Sequence, residues 1–217
     1  MKLLLGKHPM SEETVITKKT ITSEETIYYD QRSVALRTTQ AVYFVAEHDK
    51  KTMLGLILED YKKTQIVMLV KSKKKADALS DFLNSKAFSA LAIHGNHREE
   101  QQEECSSKFN EGSLHIIITT DMTLKKLALK NIKLVLSHDL PENPQDYYNR
   151  LALMKEEGVA MALISPADEG YLSDLEFNMK AEIEEKTLEG FVTTSAPKTK
   201  QKKDRTKKPR HSKKKKA

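Results

Sequence analysis

Six short apolar runs constrain this chain more than any other feature: AVYFVAEH (41–48), TQIVMLVKS (64–72), FSALAIHG (88–95), LHIIITTD (114–121), IKLVLSHDLP (132–141) and GVAMALISP (158–166). TQIVMLVKS is apolar on both of its faces, and LHIIITTD is the most buried-looking of the set. Strands of this kind need cover on both sides, which a parallel sheet flanked by helices provides. The intervening segments have the matching period. Met53, Leu54, Ile57, Leu58 and Tyr61 recur at helical spacing, as do Ala76, Leu79, Phe82 and Leu83. A polar helix is expected over 97–112, with Gly112 as its C-cap. Another helix is expected around 145–156, and a last one starts at Asp168 as N-cap. TLKKLALKN reads as a short connection. The expectation is one α/β domain over residues 39–186, with a doubly wound, mainly parallel sheet and helices on both faces. Residues 1–38 read as an irregular extension in which TITSEETIYY could add an edge strand.

Charge divides the chain unevenly. Residues 197–217, PKTKQKKDRTKKPRHSKKKKA, hold 12 of the 37 Lys and Arg but one of the 31 Asp and Glu, so the remainder carries 25 basic and 30 acidic residues. A segment this charged and this poor in apolar residues cannot offset its ordering entropy, so 187–217 is expected to be a disordered, Lys-rich tail. Lys202, Lys203, Arg205, Lys207, Lys208 and Arg210 would attract a polyanion through counterion release without reading its sequence. No apolar run approaches 18 residues, and the Leu run in MKLLLGKHPM is too short for a secretory signal. The single Cys105, read as a half-buried helix residue, excludes an internal disulfide and a cysteine-rich zinc site. A soluble cytoplasmic protein with no membrane association is expected.

Ligands of such sheets gather beyond the carboxyl ends of the strands. No GxxxxGK[ST] or GxGxxG motif is present, and His94, His97 and His115 lack metal-ligand spacing, so no cofactor and no metal are expected. No Ser-His-Asp arrangement sits in an elbow context. The strand ends carry cations and hydroxyls instead. Lys71, Lys73, Lys74 and Lys75 stand where a strand passes into a helix, and Thr119, Thr120, Lys125 and Lys126 follow LHIIITTD. On one edge of one sheet they would form a track for a phosphate backbone.

The order IVMLVKSKKKADALSDFLNSKAFSALAIHGN, SKFNEGSLHIIITTD, NIKLVLSHDLPENPQDYYNRL and ALISPADEGYL resembles the second RecA-like domain, the helicase C-terminal domain, of DEAD-box RNA helicases, from about Tyr43 to Leu172. The resemblance implies a RecA-like fold and RNA as partner. It places His94 and Gly95, Thr120 and Asp121, Lys125, and Arg150 at motif positions, with Thr120 facing an RNA phosphate. The family's first domain, with its phosphate loop, has no counterpart in these residues.

Several motif positions depart from the family. Where it has a Gln and an Arg after His-Gly, this chain has Glu99 and Gln102. Arg-Gly-Leu-Asp becomes Lys125-Lys126-Leu127-Ala128, so the carboxylate that helps hold the nucleotide is gone. The His-Arg pair becomes Asn149-Arg150, and the two following arginines become Leu153 and Glu156; Leu153 and Met154 read as helix-packing residues. Losing one arginine finger costs about 10³ to 10⁵ in rate in nucleotide hydrolases. The resemblance with these departures implies an RNA-binding protein that is not catalytic alone. Lys71, Lys73, Thr120, Lys125 and Arg150 would contact RNA, and the tail would supply affinity. Two alternatives are a module docking on a ribosomal or RNA-processing protein, and the C-terminal half of a split helicase acting in trans.

Overall fold

The computed structural model describes residues 34–35, 37–154 and 158–195. The stretch TITSEETIYY, Glu156 and the Lys-rich residues from 197 onward lie outside them. Seven strands form one sheet: β1 (Thr38–Phe44), β2 (Ile66–Leu69), β3 (Ala90–Ala92), β4 (Ile116–Thr119), β5 (Leu134–Ser137), β6 (Gly158–Ile164) and β7 (Glu184–Glu185). Their spatial order is β3-β4-β2-β5-β6-β1-β7. Every pairing is parallel. The helices are α1 (Lys50–Glu59), α2 (Lys73–Ser85), α3 (Glu99–Asn110), α4 (Asp121–Leu124), α5 (Pro144–Leu151) and α6 (Glu169–Met179). The doubly wound parallel α/β architecture read from the six apolar runs is the one present.

Side-chain alternation explains why the central strands read as continuous apolar runs. In β2, Ile66 and Met68 face the layer made by Met53, Leu54, Ile57 and Leu58 of α1 and Ala76, Leu79 and Leu83 of α2. Val67 and Leu69 face the opposite layer, made by Phe109 of α3, Tyr147 and Leu151 of α5 and Leu172 of α6. Successive residues of a strand point to opposite faces, so a strand covered on both sides must be apolar at every position. Cys105 belongs to the second layer and is fully buried rather than half-buried; burial pushes its thiol up to about 11. It is therefore a packing residue, with little thiolate character.

Local signals set several boundaries. Ser72 accepts the Lys75 N–H and opens α2, and Asn143 does the same for α5, with Pro144 at its first position. Gly112, at φ +81°, closes α3. Gly158 opens β6 because a Cβ there would lie 2.3 Å from the Met154 sulfur. Asp168 stands at the start of α6, but its carboxylate makes no cap bond; it turns back to the Ser165 N–H and hydroxyl.

Four expectations are corrected. A helical turn, α4, begins at Asp121, the end of the run read as a strand, and takes in the first two residues of the segment read as a plain connection. The helix expected over 145–156 ends at Leu151, where the chain tightens: Leu153 and Met154 donate to the carbonyls of Arg150 and Leu151. The pair Glu184–Glu185 adds β7, which no apolar period could announce, because it pairs through its backbone. The tail expected from 187 starts later, since Leu188 and Phe191 pack on the α1/α2 layer. Thr194 donates its N–H and its hydroxyl to the Asp49 carboxylate, at 2.9 and 2.5 Å. These apolar and capping contacts tie residues 187–195 to the folded body.

Candidate nucleic-acid interface

The sheet order brings the carboxyl ends of β2, β3 and β4 side by side, and with them most of the residues singled out in the sequence. Lys73, at the first turn of α2, donates to Asn96 Oδ1 at 2.6 Å, and its Nζ would lie 3.7 Å from a Cβ on Gly95. The loops after β2 and β3 thus touch. Thr120 follows β4 and pairs its hydroxyl with that of Thr123 at 3.3 Å. Lys125 is exposed and reaches Asp146 at 3.3 Å. Lys74 and Lys126 are exposed as well. Exposed ammonium groups, a small glycine and a hydroxyl, groups of the kinds that contact phosphate oxygens, thus stand at adjacent strand ends.

Other candidates are buried or held by partners. Arg150 is wholly buried, so it is not an RNA-facing charge in this structure. Its Nε and Nη2 donate to the two oxygens of Asp121, both at 2.7 Å. Its Nη1 donates to the Ser137 hydroxyl at 2.8 Å and the Asp139 carbonyl at 2.9 Å. Asp121 is thereby committed to the guanidinium. The His94 ring is also buried and meets Asp77 at 3.0 Å, while Gly95 and Asn96 beside it are exposed. Thr119 is buried. Lys71 is one-third exposed and divided between Asp168, at 3.4 Å, and the face of Tyr171, at 4.4 Å.

The motif departures have structural consequences. Leu153 packs against the core and Met154 is fully buried, so these positions hold apolar contacts. Gln102 turns inward to the His97 carbonyl at 2.9 Å. Glu99, Glu103, Lys126, Ala128 and Lys130 line one 400 Å³ crevice between α3 and the segment after α4, with the carboxylates on α3 and the lysines on the segment opposite.

A second charged cluster, which the sequence reading missed, lies beyond β5, β6 and β1. Lys50 is fully buried. Its Nζ lies 2.9 Å from Asp168 Oδ2, 3.2 Å from Glu47, 3.5 Å from Asp139 and 2.9 Å from the His138 carbonyl. Lys75, expected at the surface track, is drawn to Glu47 and Asp139, each at 2.8 Å. The signal for Lys50 was present in the sequence, since it lies three and four residues before Met53 and Leu54 on the buried stripe of α1.

Burial alone would raise the Asp139 carboxyl, but His138, Lys75 and the Lys71 N–H outweigh it and hold the group well below the usual carboxylate range. The folded state therefore releases this proton more readily than the unfolded chain. The stabilisation is complete above the unfolded value, about pH 4, and is lost progressively as pH falls below it. Urea unfolding is expected to show a midpoint that drops as pH falls from about 4 toward about 2 in the parent, and less so in Asp139→Asn.

Comparison with known proteins agrees with this architecture. Residues 49–152 match the model of the helicase conserved C-terminal domain. The ATP-dependent RNA helicase eIF4A of Mycosarcoma maydis is 28% identical over 191 residues, covering 86% of this chain and 46% of the relative. This chain thus spans less than half of that relative's length. A DEAD box protein from Methanococcus jannaschii superposes with a TM-score of 0.66 at 24% identity, covering 71% of this chain and 43% of that one. The Escherichia coli DEAD-box protein SrmB, in a structure bound to the regulator of ribonuclease activity A, gives 0.66 at 16% identity, covering 73% and 98%. Residues 49–152 thus match a helicase conserved C-terminal domain, and the parallel seven-stranded sheet around them has the RecA-like fold of the C-terminal domains of DEAD-box proteins.

Proposed function

We propose that this chain binds RNA through the strand-end edge of its helicase C-terminal domain and through Lys-rich residues 197–217, and that it hydrolyses no ATP by itself. The observation that carries the reading is a division of cations. Lys73, Lys74, Lys125 and Lys126 stand exposed at the ends of β2 and β4, while the motif arginine, Arg150, is withdrawn into the core. The exposed group can neutralise phosphates. The buried one has its donors spent on Asp121, Ser137 and Asp139.

RNA is the polyanion favoured because the curated relative is named as an RNA helicase. The apolar Leu153, held against the core, supports the absence of hydrolysis, since a leucine cannot stabilise charge on a transferring phosphoryl group. The full chain with ATP and single-stranded RNA is expected to release phosphate at the protein-free background rate. RNA-stimulated release would overturn the non-catalytic part of the reading and favour the helicase one.

A second reading, docking on a protein of RNA metabolism, draws on the crevice in which Glu99 and Glu103 face Lys126 and Lys130, and on the protein-bound state of the SrmB structure. Recovery of a protein partner by a chain ending at residue 196, with no RNA binding, would select this reading over the first.

A further inference from the structure

One edge of the sheet is left open by its own strands. β6 pairs with β1 along all of Thr38–Phe44, whereas β7, the outermost strand on the other side, pairs only with Ala41 and Val42. The Lys186 N–H donates to the Val42 carbonyl, and the Val45 N–H donates to Ile164 of β6. Backbone groups alternate sides along a strand, so those of Phe44 point past the end of β7. The Phe44 side chain is 42% exposed. An unpaired strand edge beside an exposed aromatic ring suits a chain segment more than a compact ligand.

A groove of 490 Å³ follows this edge between β1, β7 and α6. Val42, Phe44 and Ile183 give it an apolar floor, and Glu176, Glu182, Glu184 and Glu185 give it charge; among the described residues no lysine or arginine lines it. Glu176 accepts the Ile183 N–H at 2.9 Å, and Glu184 meets Lys186 at 3.3 Å. Glu182 and Glu185 are exposed and make no ion pair among the described residues. Carboxylates elsewhere have their cations. Glu47, Asp139 and Asp168 face Lys50, Lys71 and Lys75, and Glu99 and Glu103 face Lys126 and Lys130. The segment with the complementary charge belongs to this chain, since residues 197–217 hold 12 Lys and Arg and one Asp. Thr194, which leads into it, is bonded to Asp49, five residues beyond Phe44, so the segment starts within about 20 Å of the groove. A chain of about 20 residues spans up to about 70 Å when extended, which covers that distance and the length of the edge.

We propose that the Lys-rich residues 197–217 dock on this groove of their own chain, with ammonium groups on Glu182 and Glu185 and lysine stems over the Phe44 ring. The groove and RNA then compete for the same cations, a consequence that rests on the RNA reading above, whereas the docking itself does not. The test uses the ¹⁵N-labelled full chain without RNA, carrying a nitroxide on Ser212→Cys; Cys105 is buried and stays unlabelled. Paramagnetic broadening is expected at the amides of Phe44, Ile183 and Glu185. It is expected to vanish near 1 M salt, where the screening length is about 3 Å, and to fall roughly threefold or more in Glu182→Gln/Glu185→Gln. Both glutamates are exposed and outside every described ion pair, so that variant retains the fold. Broadening spread evenly over the surface, broadening centred on the Glu99 and Glu103 crevice, an unchanged pattern in the double variant, or broadening that appears only between different molecules would each overturn the proposal. Because RNA is absent from the measurement, such a failure is distinct from a failure of RNA binding.

Discussion

Replacing Arg150 by methionine is expected to lower the unfolding free energy by about 3 kcal/mol, read as a lower urea midpoint. Methionine can fill much of the volume, so packing is not the main loss. What remains is a carboxylate on Asp121, a hydroxyl on Ser137 and a carbonyl on Asp139 that have lost their donor. Removing one partner of a buried pair typically costs about 3–5 kcal/mol. The low end applies because the Asp121 side chain is 26% exposed and can recover some hydration. Arg150→Lys should fall between, since a point charge cannot span both carboxylate oxygens as the planar guanidinium does. A change below about 0.5 kcal/mol in the methionine variant, the range of ordinary surface substitutions, would show that Arg150 does not staple the β4 and β5 ends to α5.

Removing residues 197–217 is expected to weaken RNA binding roughly 100-fold or more near 0.1 M salt, with little effect on the urea midpoint. The deleted piece carries 12 of the chain's 37 Lys and Arg, and the remaining body is left with an excess of acidic residues. The truncation must keep residues 187–195, because Leu188 and Phe191 pack on the α1/α2 layer and Thr194 holds Asp49. Cutting at 187 would remove part of the fold together with the tail. An unchanged affinity after truncation at 196 would move the binding to the body alone.

The sheet was legible in the sequence because its central strands are covered on both faces, so β2, β4 and β5 are apolar at every position, with turn and cap residues between them. Ser72, Asn143 and Gly112 mark element ends through side-chain caps and a positive φ, which are local properties that a sequence carries. β7 was not legible, since Glu184 and Glu185 join the sheet through backbone pairing. The site was legible in its spacing and less so in its exposure. Lys73 and Gly95 come together after β2 and β3, and Thr120 and Lys125 follow the neighbouring β4. Arg150 reads from its motif as an RNA-facing charge, and Lys50 stands out from no motif, because charge is normally solvated. Their burial depends on carboxylates 29, 89 and 118 residues away in sequence. Only the helical stripe they share with Tyr147 and Leu151, or with Met53 and Leu54, hinted at it.

The most direct test of the account is the salt dependence of RNA affinity for the full chain, measured with an unstructured oligonucleotide between about 50 and 200 mM monovalent salt. Contacts from the tail and from Lys73, Lys74, Lys125 and Lys126 predict a linear fall of log affinity with log salt. If six or more phosphates are neutralised, the loss over that range is on the order of 10³-fold, with little dependence on base sequence. An affinity that stays flat across the range would contradict binding through backbone electrostatics.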